Sequence, residues 1–182
     1  MIRFIVPLFA VMATAGICLG EEVKSGLEKG GAPTPFNVKD ITGPNAGKSL
    51  CYRCAYGAAP VTCIFTREIT PEVATLVKNI DDQVGANKAK NMHAFLVLLT
   101  DDADAGAKQL TKLKEDQKIA NVPLTVFDGK AGPEKYQISK DAAVTVLMWN
   151  KMRVQANHAY SKANIPAEEV KVIAADTSKI LN

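Results

Sequence analysis

The chain is poor in the residues that most often carry chemistry: 182 residues hold two histidines, one tryptophan and four cysteines. His93 and His158 stand alone in strand-like runs, a setting in which a histidine is ordinarily a satisfied or surface residue. One Cys-x-x-Cys is present, at Cys51 and Cys54, with no second pair to complete a closed four-ligand zinc site. Copper held by this pair and a third ligand is the metal chemistry left open. Ala55 follows Cys54 where covalent haem attachment needs a histidine. No serine–histidine–acid signature, glycine-rich phosphate loop, internal repeat or low-complexity block occurs. The reading therefore expects no metal and no cofactor. An excess of charge is missing as well, the formal net charge being +3. Lys108, Lys112, Lys114 and Lys118 alternate with acids, which describes a solvated helix face and argues against a nucleic-acid partner.

Beyond the amino terminus there is no long apolar run. Met1-Ile2-Arg3 is a short positive start, Phe4 to Leu19 is apolar almost throughout, and small residues precede the charged Glu21-Glu22. That order predicts a secretory signal peptide over residues 1–20, cleaved after Ala15 or Gly20. The alternative is an uncleaved anchor, but the run falls short of the roughly 20 residues that span a bilayer, and with no later stretch long enough no stable membrane span is expected after cleavage. Ile17 stands where a lipid-modified Cys18 would need a small neighbour. The expected compartment is periplasmic or extracellular. Pro33 and Pro35 mark residues 21–35 as a flexible linker, and residues 36–182 as one domain with enough apolar content for a core.

Within that domain Phe36–Ile41 alternates like a half-buried strand, and Gly43–Gly47 is turn-rich, so Lys48–Tyr52 is expected as the return strand of a hairpin. Pro60–Phe65 reads as a fully covered strand. Thr70 caps a helix with Pro71 at its first position, and Val73, Leu76, Val77, Ile80 and Val84 form one buried stripe. His93–Leu99 is the next strand. Asp101-Asp102 caps a helix running to about Gln117, and Pro123–Phe127 is a further strand. Val144–Trp149 and Arg153–Ala159 make an antiparallel hairpin, and Pro166 opens a last helix with Val170, Ile173, Thr177 and Ile180 inward. Short parallel crossovers followed by an antiparallel pair predict an α/β fold, a mixed central sheet flanked by helices with an amino-terminal β-hairpin.

Several segments resemble the thioredoxin superfamily, specifically its peroxiredoxin branch, the alkyl hydroperoxide reductase and thiol-specific antioxidant group. Phe36–Gly43 with Gly47-Lys48 is similar to the amino-terminal hairpin of that branch. Phe65–Val73 resembles its active-site loop, Val122–Asp128 its extra strand, and Thr145–Leu147 with Arg153-Val154 its last hairpin. The resemblance implies a thioredoxin-like fold from Phe36 to Leu181. It also implies that the branch's reactive residues are absent. Val73 occupies the place of the peroxidatic cysteine, three residues after Thr70. Ala143 stands where the branch has an arginine. A thioredoxin-type Cys-x-x-Cys would fall within Glu68–Glu72, which has no cysteine, and the thioredoxin cis-proline would fall at about Val144. The chain is thus not a conventional peroxiredoxin. Thr66, Arg67 and Thr70 remain as candidate ligand-binding residues at that location.

Cys51 and Cys54 carry the remaining chemistry, with Arg53 between them. Such a pair in an oxidising compartment is either an exchange-active couple or a structural disulfide. Read the first way, the protein is a thiol–disulfide oxidoreductase acting on protein thiols or disulfides, with Cys54 beside Arg53 the favoured nucleophile. Read the second way, it is a non-catalytic binding module for an unknown exported partner. Cys63, alternating within an apolar strand, is read as a small buried hydrophobe.

Overall fold

The computed structural model describes residues 23–181. The expected signal peptide, with Cys18, lies outside the described residues. No helix among them is long and apolar enough to cross a membrane.

Seven strands form one sheet: β1 (Val38–Asp40), β2 (Ser49–Leu50), β3 (Val61–Thr66), β4 (His93–Thr100), β5 (Leu124–Asp128), β6 (Val144–Asn150) and β7 (Arg153–Tyr160), ordered β2-β1-β5-β4-β3-β6-β7. The three central strands β5, β4 and β3 are parallel, and antiparallel pairs flank them on both sides. β3 lies between β4 and β6, with Val61 opposite His93 and Trp149 and Thr66 opposite Leu98 and Val144. All six of its residues are buried, because a central strand is covered on both faces.

The helices are α1 (Tyr52–Tyr56), α2 (Pro71–Ala86), α3 (Ala103–Gln117) and α4 (Ala167–Asp176). Thr70 caps α2 by accepting the Val73 N–H, Pro71 occupies its first turn, and the expected stripe from Val73 to Val84 is buried. Asp102 caps α3 in the same way, accepting from Ala105 N–H. Right-handed crossovers that always step in one direction across the sheet put α2 and α3 on the same face, where α4 joins them over Ile64, Leu96, Leu98, Val146 and Met148.

The other face carries Val61, Cys63, Phe65, Phe95, Val97, Leu99, Leu147 and Trp149. It is covered not by a long helix but by α1, the 129–142 connection and the chain preceding β1. This corrects the flexible linker expected over residues 21–35, because residues 23–35 are packed as a strap. Ser25 and Leu27 are buried. The Asn157 amide donates to both Ser25 O and Leu27 O, Ser25 Oγ and Thr145 Oγ1 are 2.7 Å apart, and Gly30 and Gly31 exchange backbone hydrogen bonds with Val154. Composition hides this anchoring, since most of the bonds use the strap's backbone. Gly26 is the exception that shows in the sequence: its φ is +84°, and a Cβ there would lie 2.9 Å from Thr145 Cγ2, leaving no place for one.

Candidate functional site

α1 is a single five-residue turn that the hairpin reading missed. The expected strand Lys48–Tyr52 is a second correction, because pairing ends at Leu50 and the chain turns into the helix at Tyr52. Cys51 causes the change: its Sγ accepts the Cys54 N–H at 3.1 Å and so caps the turn. The same sulfur is bonded to Cys54, with the two Cα atoms 5.2 Å apart. Cys51 is half-buried, whereas Cys54 and Ala55 are exposed. Cys54 is therefore the more exposed residue of the pair.

What holds α1 in place is independent of the disulfide. Tyr52 is buried and its ring stacks on Phe95, while its hydroxyl donates to Asp40 Oδ2 at 2.6 Å. Asp40 is fully buried, and its carboxylate also accepts the N–H groups of Gly43 and Asn45. Burial, reinforced by the Asp40 hydrogen bond, pushes the Tyr52 phenol far above its ordinary range, so it stays a donor. One turn later Tyr56 stacks face to face on His93 at 4.2 Å, and burial holds the His93 imidazole below its usual pKa. Arg53, between the cysteines, donates from Nε to Pro33 O on the strap. Asp40, Tyr56 and His93 were not singled out from the sequence as site residues. The turn-rich Gly43-Pro44-Asn45 after Asp40 was the one available signal, since an aspartate before such a turn commonly accepts its N–H groups.

Thr66, Arg67 and Thr70 are brought together with one another, but not with the cysteines. They lie at the carboxyl end of β3, whereas α1 leads through Pro60 into its amino end, about 16 Å of strand away. Their polar groups are engaged by backbone carbonyls. Thr66 Oγ1 donates to Glu68 O, Thr70 Oγ1 to Ala163 O, and the Arg67 guanidinium to Lys130 O and Ala142 O. Val73 is fully buried, so the site of the missing peroxidatic cysteine is apolar core. The backbone at Val144 is trans, as it is at every described residue. Cys63 is free, fully buried, and its thiol pKa is raised by burial, as expected of an inert core residue. Among the described residues no group of three or more His, Cys, Asp or Glu side chains is placed to hold a metal ion.

No protein-family profile and no curated protein matches the sequence. Solved structures do match. A Chlorobium tepidum protein put forward as the thiol:disulfide interchange protein DsbE has 15% identity and a TM-score of 0.65, over 86% of this chain and 99% of that one. The thioredoxin domain of thiol-disulfide oxidoreductase BVU-2223 from Bacteroides vulgatus has 12% identity and a TM-score of 0.63, over 86% and 99%. A yeast mitochondrial 1-Cys peroxiredoxin has 15% identity and a TM-score of 0.56, over 82% and 76%. The fold is thioredoxin-like. At these identities the likeness is one of architecture, and the chemistry of this chain rests on its own residues.

Proposed function

We propose that this chain is an exported thiol–disulfide oxidoreductase whose couple, Cys51 and Cys54, has been moved off the usual thioredoxin position. The observation that carries the reading is a disulfide-bonded, exposed Cys54 in a turn that is also docked by Tyr52 and Tyr56. A dithiol partner would react as follows. Its thiolate attacks Cys54 Sγ, the Cys51–Cys54 bond breaks, and Cys51 leaves as a thiolate next to the Cys54 N–H that already faces its sulfur. The partner's second thiolate then attacks its own mixed-disulfide sulfur, closing the partner's disulfide and releasing Cys54 as a thiolate. Two electrons pass to this protein, and the same steps run in reverse against a disulfide partner. The partners are protein thiols or disulfides in the periplasm or medium, reached after removal of residues 1–20. The disulfide and the amino-terminal pattern support that compartment.

A single-cysteine trapping experiment tests the reading. In the Cys51→Ser variant, Cys54 forms a persistent mixed disulfide with an added disulfide, roughly tenfold faster than Cys51 does in Cys54→Ser. If both folded variants are equally inert, the pair is structural and the protein is a binding module.

A further inference from the structure

The geometry points to a substrate class for this couple: thiol or disulfide partners that carry carboxylates beside the reacting sulfur, recognised by Arg53 and the cations around α1. This inference rests on the redox reading above. Between Asp40 and Glu68 the chain contains no acidic residue, and the charged side chains over that span are Lys48, Arg53 and Arg67. Arg67 is committed at the far end of β3. Lys48 is exposed just before β2, and Lys151 is exposed in the β6–β7 turn, whose N–H donates to Ala58 O directly after α1. Cations therefore stand before the helix, within it and against its exit.

None of the three has an ion-pair partner among the described residues, although seven other basic side chains do. Arg53 is held rather than free: Pro33 O takes its Nε–H, fixing the guanidinium plane while leaving the terminal nitrogens, which have no other partner among the described residues. A guanidinium held at one edge is suited to a carboxylate at the other, where paired N–H donors match paired oxygens. The acid nearest to α1, Asp40, does not cancel this field outward. It is fully buried, and its oxygens are taken by Gly43, Asn45 and Tyr52. The acids Asp101 and Asp128 line a groove with Lys39, Val126 and the start of α3, and Lys130 pairs with Asp101.

Three small disulfides of different charge test this: anionic glutathione disulfide, neutral 2-hydroxyethyl disulfide and cationic cystamine. In each reaction the Cys54 thiolate of the reduced protein attacks the probe, forming a mixed disulfide and releasing one probe thiolate. Cys51 then attacks Cys54, closing the protein disulfide and releasing the second. Divided by the rates of a free reference thiol, glutathione disulfide is expected to outrun cystamine by about tenfold at low ionic strength, with the gap closing in high salt. Arg53→Gln should reduce that ratio several-fold, and Arg53→Lys should restore part of it. A normalised ratio near one, or one untouched by Arg53→Gln, overturns the inference while leaving the couple active. Failure with the neutral probe as well overturns the redox reading itself.

Discussion

Cys51 does two jobs at once, as one half of the disulfide and as the cap of the turn that carries the other half. Opening the bond leaves the cap in place, since a thiolate accepts the Cys54 N–H better than a disulfide sulfur does. The bond closes a loop of only four residues, so the chain-entropy account assigns it about 2 kcal/mol. A Cys51→Ser, Cys54→Ser variant is therefore expected to stay folded and to lose no more than about that amount in denaturant unfolding. His93 yields a second expectation. Burial lowers its folded-state pKa from an ordinary 6.5, so the unfolded chain binds the proton more readily. Stability should fall as pH drops below about 6.5 and level off beneath the folded pKa, and His93→Gln should flatten that part of the profile. Urea unfolding at a series of pH values checks the sign. At this scale the disulfide was legible because the Cys51–Cys54 spacing permits one. Asp40 was not, because a lone aspartate in a hairpin looks solvated until the elements around it close.

The elements divide by how each is stabilised. α2 was readable from its Thr70 cap and its stripe, and α4 from Pro166 and its stripe, because a helix lying on a sheet must show apolar residues at helical spacing. α1 was not. One turn is too short for periodicity, and its stability comes from Tyr52 on Phe95 and Tyr56 on His93, contacts between segments remote in sequence. The strap escaped for a related reason, being held through its own carbonyls and N–H groups. Two glycines in it separate backbone strain from crowding. Gly26 and Gly30 both have positive φ, but a Cβ at Gly26 would meet Thr145 and Leu147, whereas one at Gly30 meets nothing within 4 Å. Gly26→Ala should cost more than Gly30→Ala, which is expected to lose roughly 1–2 kcal/mol from the left-handed backbone alone. Paired thermal melts decide it, and equal losses would mean the strap's burial contributes little.

Over the whole molecule, the sheet separates two ends of β3: Thr66, Arg67 and Thr70 lie at its carboxyl end, and the Cys51–Cys54 disulfide lies beside α1, before its amino end. The order of strands and helices was legible because parallel crossovers admit few topologies. Which face lacked a long helix was not, since that depends on the irregular 129–142 connection. Val73, which the resemblance aligns with the peroxidatic cysteine, is in the core, so the purified protein should not consume hydroperoxides with a thiol reductant, and rapid turnover would contradict that alignment. The central claim is that the Cys51–Cys54 bond opens and closes as part of function. A redox titration of the folded protein, read by alkylation and mass spectrometry of Cys51 and Cys54, tests it most directly. A midpoint between about −120 and −270 mV, the range of exchange-active couples, is expected. A bond that resists reduction below about −300 mV would be structural and would contradict it.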